Sequence, residues 1–431
     1  MTWRITIIVL LFLGGFLFNP VYAAANVTFD SQGTWIIDGQ RWFLYGTHQV
    51  PRPGGASMLD PQYWDRMVNV YHVNNVVPGA SIRYDNLAEE YGVYLIQGTP
   101  WIPHYYDNPG TPEPNDGWWN PTSKAEIHDQ MSRPNRFLFY AAEEASIARD
   151  NLFMGYDYLK ETYPNVPAHL NFVNISLNPF HTNLVNFITR TKAAVISSHR
   201  NDNTTNAAQT RTLVQLREEI PTVKSTYLLI RGWGEYGGGG TDPNIGFDEA
   251  QMEFDVFNSI VLGINGIRFW EFDATTPHYG GKYGEVIARV GGYLEEITPG
   301  LVAPNRIYKA DHIISKGEDN RYYVIATPNS TSSFTVTGLP KNTVFERLFY
   351  GTGTITTNAN GQFTDTTGGK IKIYRQKVAP STPIPIPGDI TETGDKIGDH
   401  VNINDYNLLV TQFGIPYNIF DYNLIVGNWA K

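Results

Sequence analysis

The sequence predicts an α/β protein: a (β/α)₈ TIM barrel, then a small antiparallel β-sandwich, then a C-terminal helical module. Three observations carry this expectation. Between residue 41 and about residue 300, eight short and almost wholly apolar runs alternate with longer amphipathic ones, as strands covered on both faces alternate with helices. Residues 305 to 376 change to period-two alternation rich in Thr and Val, the pattern of antiparallel strands. Two similar segments sixteen residues apart then close the chain.

The first residues read as an export signal. MTWR is a short positive start, ITIIVLLFLGGFLF an apolar run of about 14 residues and VYAA a set of small residues suited to cleavage. That run is shorter than the roughly 20 residues a membrane helix needs, so residues 1–24 are expected to be removed and the protein secreted or held at the cell surface. Residues 25–304 are assigned to the barrel. Its expected strands are RWFLYGTHQ (41–49), VNNVVPGA (73–80), GVYLIQGTPW (92–101), FLFYAAEE (137–144), AHLNFVNI (168–175), AAVISSHR (193–200), YLLIRGWGE (227–235) and GIRFWEFDA (266–274).

Helical segments follow each of these runs. In the seventh, Met252, Val256, Ile260 and Ile264 recur every four residues and form one apolar stripe. Pro164 and Pro221 stand just past helical runs, where proline commonly follows a stop. A doubly wound open sheet also alternates in this way, but eight units in about 260 residues suit closure into a barrel better.

Residues 305–377 form the expected sandwich, with turn signals GEDN and NANG, and APSTPIPIPG (379–388) lies in a stiff proline-rich linker assigned to 378–388. Residues 389–431 hold the repeat VNINDYNLLVTQFG (401–414) and YNIFDYNLIVGNWA (417–430), read as paired helices.

Composition narrows the chemistry. The net charge of −10 disfavours a nucleic-acid partner, whose phosphates are bound mainly through Lys and Arg. The chain has no cysteine, so thiol nucleophiles and thiolate zinc sites are excluded. No HxH or HExxH spacing points to a histidine metal site. Aromatic residues make up 13% of the chain and cluster in stretches such as PWIPHYYDNPG and PNDGWWNP, where they either pack under loops or offer faces on which sugar rings stack.

In a barrel of this kind the chemistry sits at the carboxyl ends of the strands. The expected strand ends bring Glu144, Glu235, Glu271, Asp273, His48, Trp101, His104, His199 and Trp233 to one rim. Two carboxyl groups sharing a cavity suffice to hydrolyse a glycosidic bond: one protonates the leaving oxygen, the other attacks carbon or activates water. Glu144 in YAAEEAS is either that acid or the cap of a helix beginning at Ala145. Glu235 in IRGWGEYGG is either the second carboxylate or a solvated loop acid. Glu271 in RFWEFD competes for the second role or pairs with Arg268. His48, His104 and His199 are candidate substrate hydrogen-bonders, and Trp101 and Trp233 candidate sugar platforms.

The acid after the fourth strand, the acid after the seventh and the opening segment TWIIDGQRWFLYGTH resemble clan A glycoside hydrolases, including their β-galactosidase-like relatives. The similarity spans roughly residues 30 to 376. Members usually carry Asn-Glu-Pro or Asp-Glu-Pro after the fourth strand, where this chain has Glu143-Glu144-Ala145. The resemblance implies an acid/base role for Glu144, a nucleophile role for Glu235 and double displacement with retention. No cofactor is expected for catalysis.

The tail resembles a type I dockerin, a family whose two Asp-rich loops bind calcium and dock onto cohesin domains. Asp395, Asp399 and Asp405 in GDKIGDHVNIND are the ligand candidates for one weak calcium site, whereas the second loop has shrunk to FGIP. A cohesin-type partner and a helical hairpin that serves attachment without calcium are the two expectations for this module. For the whole chain the expectation is a secreted glycoside hydrolase acting on a polysaccharide or oligosaccharide. The rival, from another class, is a non-catalytic carbohydrate-binding or surface-attachment protein on a decayed hydrolase barrel.

Overall fold

The computed structural model describes residues 25–47, 59–76, 85–98, 136–142, 150–173, 175, 181–199, 205–231, 248–270, 282–327, 333–366 and 370–378, with Ala125 and His128. Contacts divide the chain into two units, 1–376 and 377–431.

A hairpin opens the fold. Strands β1 (Val27–Phe29), β2 (Trp35–Ile37) and β3 (Gln40–Trp42) form an antiparallel sheet. β2 and β3 are joined through Asp38 and Gly39, both at positive φ (51° and 84°). A two-residue turn with both central residues left-handed matches the natural twist of a hairpin, and Asp-Gly is a favoured pair for it. The Asp38 carboxylate also accepts from the Asn26 backbone N–H at 2.9 Å.

Eight parallel strands then close into a barrel: β4 (Leu44–Thr47), β5 (Asn75–Val76), β6 (Tyr94–Gly98), β7 (Arg136–Ala142), β8 (Ala168–Val173), β9 (Val195–His199), β10 (Ser225–Arg231) and β11 (Gly266–Trp270). Each pairs with the next, and β11 pairs back onto β4. All eight overlap the expected runs and six fall wholly inside them; β7 starts one residue before 137–144 and β10 two residues before 227–235. The first run also differs in detail, because 41–49 is not one strand. Its residues 41 and 42 pair backwards with β2, and only from Leu44 does the chain join the barrel.

Helices α1 (Pro61–Asn69), α2 (Asp85–Glu90), α3 (Asp150–Thr162), α4 (His181–Thr191), α5 (Asn206–Glu219), α6 (Glu249–Val261) and α7 (Lys282–Leu301) surround it. Ala125 and His128, between β6 and β7, are helical as well. Local chemistry marks the starts. Asp60, Thr205 and Asp248 cap α1, α5 and α6 by accepting from the backbone N–H of Gln62, Ala208 and Gln251, which satisfies donors that the first helical turn leaves free. The stripe foreseen on α6 is buried: Met252, Val256 and Ile260 face the barrel wall, and Ile264 continues it in the turn to β11.

The hairpin plugs the amino end of the barrel. Trp35 and Ile37, fully buried, pack with Val27 against Leu44, Ile96, Val195 and Tyr227. Hydrogen bonds pin it there, from Ser225 Oγ to the Gly33 carbonyl (2.8 Å) and from Asn265 Nδ2 to the Gln32 carbonyl (3.0 Å).

Beyond α7 come two antiparallel sheets. One has six strands in the order β12 (Ile307–Tyr308), β13 (His312–Lys316), β14 (Tyr322–Ala326), β19 (Lys372–Gln376), β16 (Val344–Leu348) and β17 (Thr354–Thr356). The other pairs β15 (Ser333–Val336) with β18 (Phe363–Thr366). Period-two alternation decides where each side chain goes. Val324, Ala326 and Tyr374 turn towards Phe334, Val336 and Phe363 to form the sandwich core. Tyr323, Ile325 and Ile373 turn the other way and join the core of the barrel. The sheet is therefore buried on both faces. Asn258 on α6 accepts from Thr327 Oγ1 at 3.2 Å, Glu296 on α7 pairs with Arg375 at 3.1 Å, and Tyr293 stacks on Phe349 at 4.0 Å. Among the described residues no helix is long and apolar enough to cross a membrane.

Candidate functional site

The pairing registers divide the barrel strands into two faces. Leu228, Ile230, Ile267, Phe269, Ile196, Leu170 and Phe172 belong to the cluster shared with the helices. The alternate residues, among them Asn75, His169, Asn171, Ser197, Tyr227 and Arg268, point into the barrel. Every one of these six is buried, none more than 2% exposed.

They are joined in one directional chain. Arg268 Nη1 donates to Tyr227 OH at 3.0 Å, and Arg268 Nη2 donates to Asn75 Oδ1 at 3.2 Å. Ser197 Oγ donates its single proton to Asn171 Oδ1 at 2.7 Å. Its 2.8 Å contact with His169 Nε2 must therefore be one in which the ring donates. Nδ1 of the ring is then the acceptor, and Tyr227 OH donates to it at 3.2 Å. The network thus selects the Nε2–H tautomer and a neutral ring. Burial, assisted by the charge of Arg268, holds the His169 pKa well below its ordinary value. The Arg268 guanidinium also lies 4.5 Å over the Tyr227 ring, a cation–π contact that burial strengthens.

Gly46 on β4 makes room for this arrangement. A Cβ there would stand 2.2 Å from Asn75 Oδ1, so any larger residue would expel the amide that Arg268 uses.

Around this floor, the carboxyl ends of eight parallel strands share one rim. Glu143 and Glu144 follow Ala142, the last residue of β7; Glu235 comes four residues after Arg231, the last of β10; Glu271 follows Trp270, the last of β11. His48 follows the end of β4 in the same way. His199 is itself the last residue of β9, paired with Val173 and Leu229. Glu144, Glu235, Glu271, His48, Trp101, His104 and Trp233 lie outside the described residues, as do Asp273, Asp395, Asp399 and Asp405. Among the described residues no group of three or more His, Cys, Asp or Glu is placed to hold a metal ion.

The polar floor was not foreseen from the sequence. Its signal was present in AHLNFVNI, where His169 and Asn171 stand two apart in a run otherwise apolar. Two polar residues on one face of a buried strand mean an interior that is not oil.

A cleft of about 330 Å³ opens on the opposite side, at the amino ends of β4 to β6 beside α7, with Trp42, Tyr45, Asn74 and Tyr91 in its lining. His72 and Glu295 pair across it at 2.7 Å. It lies away from the strand ends where barrel chemistry takes place.

The described residues thus define an α/β barrel with a plugged amino end, a polar floor and a fused antiparallel sandwich. Among solved structures, a candidate glycoside hydrolase from Bacteroides vulgatus ATCC 8482 aligns with a TM-score of 0.50 at 12% identity, over 82% of this chain and 82% of that one. An alpha-amylase from Anoxybacillus, assigned to a new glycosyl hydrolase subclass, gives a TM-score of 0.49 at 9% identity over 81% and 99% of the two chains. Isoenzyme 1 of the alpha-L-fucosidases of Paenibacillus thiaminolyticus gives 0.46 at 10% identity over 76% and 88%. At such identities the first of these speaks to the fold alone. No protein-family model matches the sequence, and no curated protein matches it.

Proposed function

We propose that this chain is a secreted glycoside hydrolase that cleaves O-glycosidic bonds of a polysaccharide or oligosaccharide. One observation carries the reading: the barrel gathers the carboxyl ends of β7, β10 and β11 on one rim, and in the sequence an acid follows each of those ends within four residues. Fold likeness to a candidate glycoside hydrolase supports it.

In the proposed reaction Glu144, protonated, gives its proton to the glycosidic oxygen as the Glu235 carboxylate attacks the anomeric carbon and the leaving group departs. The Glu144 carboxylate then takes a proton from water, whose oxygen displaces Glu235 and restores the original configuration. Trp101 and Trp233 stack on the sugar, while His48, His104 and His199 bond its hydroxyls. The tail serves as a helical attachment module for a cohesin-type partner, and Asp395, Asp399 and Asp405 are the residues that would hold one weakly bound calcium ion.

The test is a screen of aryl glycosides with the full chain, followed by Glu144→Gln and Glu235→Gln on any substrate found. Each substitution should lower kcat by at least 10³-fold without changing the melting temperature. Full activity in either variant reassigns that role, and binding of oligosaccharide without turnover favours the attachment protein.

A further inference from the structure

Three local features converge on the cleft at the amino ends of β4 to β6, whose lining lies wholly within the described residues. The first is His72. It closes the end of α1 in a left-handed conformation, at φ 57°, with its backbone N–H on the Val68 carbonyl at 3.1 Å. Glycine or asparagine usually takes such a position, and here the turn carries an imidazole instead. The second is Gly291, inside α7. A Cβ there would stand 2.4 Å from the Tyr71 carbonyl oxygen and 3.1 Å from His72 Cβ. Glycine weakens a helix interior relative to alanine, but this one lets α7 close on the turn. Glu295, one helical turn further on, then meets His72 Nδ1 at 2.7 Å.

The third feature is what that pair leaves over. A carboxylate only accepts, so Nδ1 donates to Glu295 and, in the neutral ring, Nε2 is an acceptor. Among the described residues nothing bonds His72 Nε2, Glu295 Oε1 or the Tyr91 hydroxyl. The other polar side chains of the lining are engaged within the fold: Asn74 Oδ1 accepts from the Tyr45 N–H at 3.0 Å, and Thr298 Oγ1 donates to the Leu294 carbonyl at 2.7 Å. Trp42 is half-buried with its indole N–H covered by protein, so the part of its ring that remains exposed is carbon.

We propose that this cleft is a saccharide site, remote from the barrel rim, in which a neutral pyranose lies against Trp42 and Tyr91 and bonds His72 and Glu295 through its hydroxyls. Hydroxyl groups donate to Nε2 and Oε1, while the C–H face of the sugar covers ring carbon, whose π-face is electron-rich. The volume of about 330 Å³ sits at the low end of small-molecule sites, about 300–1,000 Å³, and suits a short saccharide. An anion is disfavoured, because Glu295 is present and no Lys or Arg lines the cleft. A cation gains little from Glu295, which is 71% exposed and already holds the His72 proton, so that water screens its charge. A sugar uses both acceptors and the carbon surface at once. The choice of a saccharide draws on the glycosidase reading, but binding here needs no turnover.

The experiment follows the His72 Cε1–H signal by ¹H–¹³C NMR in the full chain carrying Glu144→Gln and Glu235→Gln, so that no probe is consumed, with His72→Gly assigning the signal. The probes are cellotetraose, xylotetraose, mannotetraose and maltotetraose. At least one should shift the signal saturably, and Glu295→Ala and Tyr91→Ala should each weaken that binding by about tenfold. No saturable shift with any probe overturns the proposal, as does a shift that both variants leave unaltered. A shift produced by butylammonium chloride and by none of the saccharides overturns it in favour of a cation site. If Tyr91→Ala does not fold, Glu295→Ala, on an exposed helix position, decides alone. Binding centred on His72 in a chain that hydrolyses no glycoside keeps this proposal and removes the glycosidase. Hydrolysis without such binding does the reverse.

Discussion

Gly46 shows how a single position can set the interior. It lies in the middle of β4, where an alanine would ordinarily fit a strand better, yet its missing Cβ is the space that Asn75 occupies. Replacing it with alanine should destabilise the chain by about 2 kcal/mol, as overpacking of a close-packed core commonly does. Urea denaturation would measure this, and an unchanged midpoint would mean that Asn75 is free to move. His169 depends on the same space at second hand, because its tautomer is set by Tyr227, whose hydroxyl is in turn held by Arg268. Such a chain has little slack: Ser197, His169 and Tyr227 each donate and accept at once, so the roles are mutually determined.

The hairpin β1 to β3 owes its stability to charge as well as to Trp35. Asp30 accepts from Arg41 Nη1 at 2.6 Å and from the backbone N–H groups of Gln32 and Thr34 at 2.9 Å each. Burial by itself would raise the Asp30 pKa, but the Arg41 hydrogen bond and those backbone donors outweigh it, and the group sits below the usual carboxylate range. A depressed folded-state pKa stabilises the fold above the unfolded-state pKa and loses that contribution as pH falls through the folded value. Asp30→Asn should therefore lower the melting temperature at pH 7, and the gap from the wild type should close as the pH drops below about 4. A gap of constant size from pH 7 to pH 2 would show that the hydrogen-bond geometry, not the charge, matters. The division of residues 41–49 between β3 and β4 belongs here too. Trp42 and Leu44 are both apolar, so hydropathy sees one run, while hydrogen bonding sends one half to the plug and the other to the barrel.

The sandwich and barrel share a boundary that the change of composition near residue 305 does not reveal. Ile373 is fully buried, one strand position from Tyr374, yet the two belong to different cores. Ile373→Ala should cost about 2–4 kcal/mol and lower the stability of both parts together. Near-ultraviolet circular dichroism and amide exchange on β13 and β14 should then report a single transition. Two separated transitions would show that the interface through Tyr323, Ile325 and Ile373 is not cooperative. The eight barrel strands were legible because strands buried on both faces are apolar over most of their length, and such runs stand out. The sandwich was legible for the opposite reason, since its strands alternate. The polar floor was hidden, because six buried polar residues spread over five strands look, in one dimension, like isolated exceptions.

From its residues alone the chain specified an order of strands and helices, a net negative charge of −10 without cysteine, and acids following the barrel strands at β7, β10 and β11. These depend on local periodicity and counting, which neighbouring residues carry between them. Closure of the sheet decided the rest: which face of each strand turned inward, that Arg268, Tyr227, His169, Ser197 and Asn171 met in one chain, and that the sandwich gave one face to the barrel. Those outcomes follow from pairings between residues as far apart as Asn75 and Arg268. No local pattern encodes them, because each becomes favourable only when the distant partner has already been brought to its place.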